Sequence, residues 1–199
     1  VHALGNVLSF TPPFAIPINK LADALNCSLP LEIRVVKAEK AGQKFNARFD
    51  AKSKTYEYLI YNGKTLNPLF LPFVWQIKAK LNVKAMKKAA KYLVGKHDFS
   101  SFCASRSDDK NKIRIIHSFD ICHFSFVIWG SCKLPVIRCR VTGNGFLYKM
   151  VRNIVGTLVE VGLGKRKPED IKQILKAKNR KAAGRTAPAQ GLCLIKVDY

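Results

Sequence analysis

The segment from Gly143 to Val161, GNGFLYKMVRNIVGTLVEV, constrains this chain more than any other. Phe146, Leu147, Met150, Val151, Ile154, Val155, Leu158, Val159 and Val161 recur at helical spacing and cover nearly every side. A helix that is apolar all round is a buried one, so the rest of the chain must supply layers that enclose it. Yet Arg152 sits in its middle and cannot shed its charge. A buried guanidinium calls for a carboxylate, and removing one partner of such a pair costs about 3–5 kcal/mol. The nearest acid ahead, Glu160, is eight residues on, about two helical turns away. Gly145, Lys149, Arg152 and Gly156 fall on one stripe by the 3.6-residue period, and the glycines leave a recess for a backbone or a ligand. Spacing alone leaves open whether the arginine pairs with a distant structural acid or with one from elsewhere.

Enough chain surrounds this helix to bury it. The 199 residues are 48% hydrophobic and 10% aromatic, which suits one sizeable core or two small ones and excludes a disordered basic tail. Thirty-five Lys and Arg against 13 Asp and Glu give +22. A globular domain this basic repels itself unless a polyanion is its normal partner. Nucleic acid is the leading candidate, an acidic membrane surface the second. Cys27, Cys103, Cys122, Cys132, Cys139 and Cys193 form no CxxC pattern. Pairing His97 with Cys103, or His123 with Cys132, fits no standard zinc spacing, so buried free thiols are expected and no metal. With no signal peptide and no apolar run near about 18 residues, the chain reads as soluble and cytoplasmic, with no membrane partner.

Along the chain, VHALGNVLSF alternates as a strand, with no cap, turn or initiating methionine ahead of it. Pro17 opens a short helix, PINKLADALN, closed before Pro30. LEIRVVKAEKA, FNARFDA and KTYEYLIYNG alternate as further strands, and a proline-punctuated connection leads to a strand at Val74 to Lys78. NVKAMKKAAKYLVG is predicted as a helix capped by Asn82, lined by Val83, Met86, Ala90 and Leu93, and ended by Gly95. HDFSSFCASRSDDKNK reads as a polar loop and the one plausible boundary. Two long strands follow, IRIIHSFDICHFSFVIWG and KLPVIRCRVTG, joined at Gly130–Lys133. After the Arg152 helix come a helix in KPEDIKQILKAK and a last strand in GLCLIKVDY. Strands in succession with helices between them predict an α+β fold with antiparallel sheets and helices on one face. Residues 1–96 and 97–199 are the expected subdomains.

Lys84, Lys87, Lys88 and Lys91 form one positive helical stripe. A solvated face is the ordinary explanation, but no acid shares the helix to give i,i+4 pairs, which tips the reading towards phosphate contact. Lys165, Arg166, Lys167, Lys172, Lys176, Lys178, Arg180, Lys181 and Arg185 give a second basic zone. Two zones suit an extended phosphate backbone better than a small anion. On the KSKTYEYLIYN strand, Tyr56 and Tyr58 share one face and Tyr61 the other. Strand tyrosines are usually core, yet Lys54 two residues ahead of Tyr56 sets a cation beside a flat ring, a combination that holds an unstacked base.

Five stretches together carry a resemblance. VHALGNVLSF looks like the strand directly after the active-site motif of the TruA-type tRNA pseudouridine synthases. FNARFDA with KTYEYLIYN, GKHDFSSFCA, GNGFLYKMVRNIVGTLVEVG and AGRTAPAQGLCLIKVDY resemble that family's later blocks in order, across essentially the whole chain. Asn46 stands where the family usually has histidine, a small departure. The family's signature reads Gly-Arg-Thr-Asp-Ala-Gly-Val-His-Ala, and this chain begins at its Val-His-Ala. The catalytic aspartate is therefore expected three residues before Val1, along with the first strands and helix of the N-terminal subdomain. GRT recurs at Gly184–Thr186, but Ala187 stands in the acid's place.

The resemblance implies two ferredoxin-like or RNA-recognition-like α/β subdomains around a basic cleft, the first incomplete here, in a homodimer that shares tRNA. It implies isomerisation of uridine to pseudouridine in the anticodon stem-loop, family sites 38–40. That chemistry detaches uracil, rotates it and rejoins it through carbon, without redox change, so no cofactor or metal is implied. A carboxylate attacks the nucleoside or takes a sugar proton, and an arginine keeps it ionised. By resemblance Arg152 is that arginine, and Tyr56 stacks on the flipped base or removes the C5 proton. Arg48, Lys54, Asn144, Phe146 and Lys149, with Tyr56, are the implied substrate contacts. Lys84, Lys87, Lys88, Lys91, Lys165, Arg166 and Arg185 are the implied contacts to the RNA backbone. Without the aspartate, the chain alone is expected to be inactive. The alternative is a catalytically dead tRNA-binding module or pseudoenzyme; a structural RNA-binding protein, such as a ribosomal component, fits the long apolar helix poorly.

Overall fold

Two long antiparallel strands, β5 (Ile113–Trp129) and β6 (Cys132–Gly143), form the spine of the structure, a computed structural model that describes residues 1–104, 109–129 and 132–199. Gly130 and Ser131 of the expected join, and residues 105–108 of the expected polar loop, lie outside the described residues. The seven-stranded sheet runs β1-β7-β2-β6-β5-β4, with β3 paired to the end of β2. β1 (His2–Ala3) and β3 (Trp75–Ile77) pair parallel to β7 (Leu192–Asp198) and β2 (Ser53–Asn62). The other pairings, including β4 (Gly95–Asp98) with β5, are antiparallel. The fold is α+β, as the order of elements predicts.

Alternation along β2 sorts its residues between two cores. Tyr58 and Ile60 enter the main cluster, whereas Leu59 and Tyr61 pack on the other face with Phe70, Val74, Leu134 and Val136. Helices cover the first face: α2 (Val83–Lys91), α3 (Met150–Gly162) and α4 (Asp170–Ala177). Asn82 caps α2 as predicted, its Oδ1 accepting from Ala85 N–H at 3.0 Å. Met86, Ala90 and Leu93 are buried beneath it, with Val83 at the margin.

Chain contacts gather Val1–Asn6 with Ala51–Tyr199 in one compact unit and Val7–Asp50 in another. Strand β4 crosses the expected boundary at residue 97 and pairs within the first unit. In the second unit, helix α1 spans Ile18–Ser28 behind Pro17. LEIRVVKAEKA and FNARFDA do not form strands, and the opening strand is only His2–Ala3. Alternation creates a strand only where a neighbour takes up its backbone bonds. Leu31 and Ile33, apolar positions of that alternation, are exposed, and Val35 is half-buried.

Two other expectations change. The polar loop begins instead with β4 and a 3-10 turn, Ser100–Phe102, in which Phe99, Ser101, Phe102 and Cys103 are buried. The few apolar residues of that polar run are the ones that anchor it. The apolar helix starts at Met150 and not near Gly143, because Gly143 still belongs to β6 and Lys149 takes a left-handed φ of 58°.

Candidate active site

Eleven of the thirteen residues of α3 are buried, and the two that are not are Arg152 and Glu160. Arg152 is thus half-buried rather than sealed in the core. Its Nε–H donates to Ala187 O at 2.7 Å, and Ala187 N–H donates back to Arg152 O at 3.1 Å. Among the described residues no carboxylate lies within ion-pair distance of it. Glu160, the nearest acid ahead in sequence, accepts from Arg166 Nε at 2.6 Å and from Arg185 N–H at 3.1 Å. The partner that sequence spacing sought is a main-chain carbonyl 35 residues away.

The segment Asn179–Gly191 brings that carbonyl to the helix. It crosses α3 at Gly156, where an added Cβ would lie 1.8 Å from Arg185 O. The recess beside Arg152 therefore admits this chain's own backbone, and Gly145, which precedes the helix, does not share the stripe. Buried Asn153 and Thr157 bind the same segment: Thr186 Oγ1 donates to Asn153 Oδ1 at 2.6 Å, and Gly184 N–H donates to Thr157 Oγ1 at 2.9 Å. Asn153, Thr157 and Glu160 fall at i, i+4 and i+7 on a helix that is otherwise apolar apart from Arg152, and that polar stripe is the signal by which the sequence reveals them.

Tyr56 is partly buried on β2, its ring 5.2 Å from Phe146 in an edge-to-face arrangement at 82°. Burial raises the Tyr56 phenol above its ordinary pKa, so it is neutral at neutral pH. Two residues on, Tyr58 is fully buried, meets Trp75 edge to face and donates to Pro188 O at 2.8 Å. Burial pushes its phenol up strongly, and the nearby Arg152 guanidinium pulls the other way. Tyr56 thus stays partly exposed in contact with the Phe146 ring, while Tyr58 is a core residue.

The implied contacts divide. Lys54 sits on β2 opposite Gly143 and Val197, two positions from Tyr56. Asn144 extends the β5–β6 ladder past Gly143: its Oδ1 accepts from Ile115 N–H at 2.9 Å and its own N–H donates to Ile115 O at 3.0 Å. Lys149 is exposed, its Nζ 5.2 Å from the Tyr148 ring. Arg48 belongs to the Val7–Asp50 unit, where it is exposed with its guanidinium 5.5 Å from the Phe49 ring.

Lys84, Lys87, Lys88 and Lys91 are all exposed on α2. Lys88 is paired with Glu169 Oε1 at 2.6 Å, an acid from outside the helix. Lys165 is exposed, Arg166 is held by Glu160, and Arg185 is exposed with its guanidinium 4.8 Å from the Trp75 ring. Of the six expected buried thiols, Cys103 and Cys139 are buried, Cys122 and Cys193 are half-buried, Cys27 on α1 is exposed, and the Cys132 side chain lies outside what the structure describes. Among the described residues no three His, Cys, Asp or Glu side chains cluster as metal ligands, and no helix is long and apolar enough to cross a membrane.

A family model described as tRNA pseudouridine synthase matches residues 89–199. The chain is 44% identical over all 199 residues to tRNA pseudouridine synthase A of Bacillus licheniformis and 43% to that of Bacillus subtilis, covering 77% of each. Over the same 199 residues it is 46% identical to tRNA pseudouridine synthase A of Thermoanaerobacter sp., covering 78%.

Proposed function

The chain belongs to the tRNA pseudouridine synthase family, and from that premise we propose that it serves an enzyme that isomerises uridine in the anticodon stem-loop, at family sites 38–40. The observation that carries this reading is Arg152: a half-buried guanidinium on a buried helix, fixed by Ala187 O through Nε, whose two Nη groups bond no described residue. The Nη pair is suited to a carboxylate, which it holds ionised and oriented. In our reading that carboxylate is the aspartate of the family signature, which resemblance places three residues ahead of Val1.

The reaction breaks the bond from uracil N1 to the sugar, turns the base and forms a bond from C5 to the same carbon. The C5 proton departs and N1 gains one, so electrons and atoms balance without a cofactor. Tyr56 covers the flipped base, with Phe146 bracing its ring. Burial disfavours the phenolate that proton removal needs, so stacking is its first role. Lys54, Asn144 and Lys149 complete the substrate contacts in this reading, and Arg48 is assigned to the substrate by resemblance alone. Flipping the uridine costs a few kcal/mol, which phosphate contacts at Lys84, Lys87, Lys88, Lys91, Lys165, Arg166 and Arg185 offset.

We further take the enzyme to be a cytoplasmic homodimer whose α/β subdomains flank a basic cleft, their division lying outside β4, which runs unbroken through residue 97. The 199 residues by themselves form a tRNA-binding module without turnover, since no described carboxylate faces Arg152. Carbodiimide labelling and primer extension on tRNA treated with the complete protein test the reading. Pseudouridine at positions 38–40 upholds it; modification outside the anticodon arm, or none, contradicts it.

A further inference from the structure

Asn153 is fully buried one residue after Arg152, and its amide orientation is fixed. Its Nδ2 donates to Phe102 O at 2.7 Å, so Oδ1 is the acceptor that meets Thr186 Oγ1 at 2.6 Å and Arg180 Nη2 at 3.1 Å. Arg180 can only donate, and it also reaches Thr186 Oγ1 at 3.1 Å. The Thr186 hydroxyl proton must therefore point at Asn153. Arg180 Nη1 in turn donates to Gly184 O at 2.9 Å and Ala183 O at 3.3 Å. The direction of each of these bonds has one assignment, and they run to the residue directly before Ala187. A polar network anchored on a buried, hydrogen-bonded amide favours one geometry.

We infer that Asn153, Thr186 and Arg180 are positioning residues that fix the edge Arg152 presents. They set the place of Ala187 O, and Ala187 O occupies the Nε–H of Arg152 at 2.7 Å. With Nε committed, the side-on Nε/Nη fork is closed and the end-on Nη1/Nη2 pair is the only bidentate edge for a carboxylate. Loosening Thr186 frees the carbonyl to drift and lets the guanidinium turn, without removing any charge from the RNA-facing surface. The inference rests on the role given to Arg152 above.

Thr186→Val removes the hydroxyl at nearly constant volume, and Thr186→Ser restores it; Thr186→Ala makes the same comparison if the extra methyl of valine is not accommodated. In the complete protein, valine lowers kcat for pseudouridine formation on the order of 10²-fold, the cost of a misplacement near 1 Å. The Kd for tRNA stays within about twofold, and serine recovers kcat to within about threefold. In the 199-residue chain, nitrogen-detected NMR of the Arg152 Nε–H shows fast solvent exchange with valine and slow exchange with threonine or serine. Equal kcat for valine and serine, or unchanged Nε–H exchange in the valine variant, overturns the inference. If the parent protein forms no pseudouridine, the functional reading falls, and the exchange measurement still upholds or overturns the network.

Discussion

Arg152 and Ala187 are bonded twice, the side-chain Nε–H to Ala187 O at 2.7 Å and Ala187 N–H to Arg152 O at 3.1 Å. The helix and the segment that crosses it are therefore registered at the residue that carries the charge. A carbonyl satisfies one of the five guanidinium donors without neutralising it. The arginine is held in place yet remains an unpaired cation among the described residues, which is the state required to receive a carboxylate.

Arg152→Met in the 199-residue chain breaks that bond and leaves Ala187 O without its side-chain donor. Hydrogen bonds to charged groups contribute about 1.5–3 kcal/mol when well shielded, and half-burial reduces this. A loss of roughly 1 kcal/mol in denaturant unfolding is expected. A gain in stability would mean that the cation is strained here and not anchored.

Gly156→Ala places a methyl where Arg185 O already lies, 1.8 Å from the new Cβ. The obstacle is backbone, so the crossing segment must move. A cost of about 3 kcal/mol or more follows from such overpacking. It should appear as a fall in Tm together with loss of Arg152 Nε–H protection. A methyl tolerated with unchanged Tm would place the segment further from the helix than described.

Asp98 gives a pH signature. Burial acts to raise its carboxyl pKa, but the Ser100 hydroxyl and N–H and the Lys178 ammonium outweigh it and hold the group below its ordinary value. A carboxyl depressed in the folded state stabilises fully above its unfolded pKa of about 3.9 and loses that contribution as pH falls through the folded value. The Tm difference between parent and Asp98→Asn should be constant near neutrality and shrink below about pH 4. A difference that grows on acidification would reverse the sign of the shift.

Salt dependence separates the lysines of α2. Replacing Lys84 and Lys87 together should reduce the slope of log K for tRNA against log salt by roughly 2, near one per lost phosphate contact. Lys88 is paired with Glu169 at 2.6 Å and must give up that bond to reach a phosphate. Lys88→Ala alone should change the slope by less than Lys87→Ala. Equal slopes for all variants and the parent would make the stripe a solvated face.

Local signals were the legible ones. Asn82 before a periodic stretch marked the start of α2, and the alternation of Tyr58 and Ile60 with Leu59 and Tyr61 gave β2 its two faces. A charge on an apolar helix marks Arg152 and a cation two residues away marks Tyr56, and the resemblance gives both their roles, while their surroundings depend on distant chain. Any carbonyl can accept from an arginine, so nothing in the sequence points from Arg152 to Ala187. Alternation in LEIRVVKAEKA misled because it carries no information on whether a neighbouring strand exists. The start of α3 differs from the helical spacing for a related reason: Gly143 pairs with both Lys54 and Ile116, a sheet commitment that helical periodicity does not register. Asn153 and Thr157 join Glu160 in a polar stripe at i, i+4 and i+7 that is legible in the sequence, although the charge of Arg152 beside it is the louder signal.

The most direct test is tritium release from tRNA labelled at uridine C5, measured with the complete protein and its Arg152→Lys variant. Lysine keeps the charge but loses the planar fork that the Ala187 bond aims. The parent should release tritium, and the variant should release it on the order of 10²-fold more slowly with its affinity for tRNA nearly intact. Equal rates for parent and variant, or a loss confined to tRNA affinity, would contradict the assignment of Arg152 as the residue that holds the catalytic carboxylate.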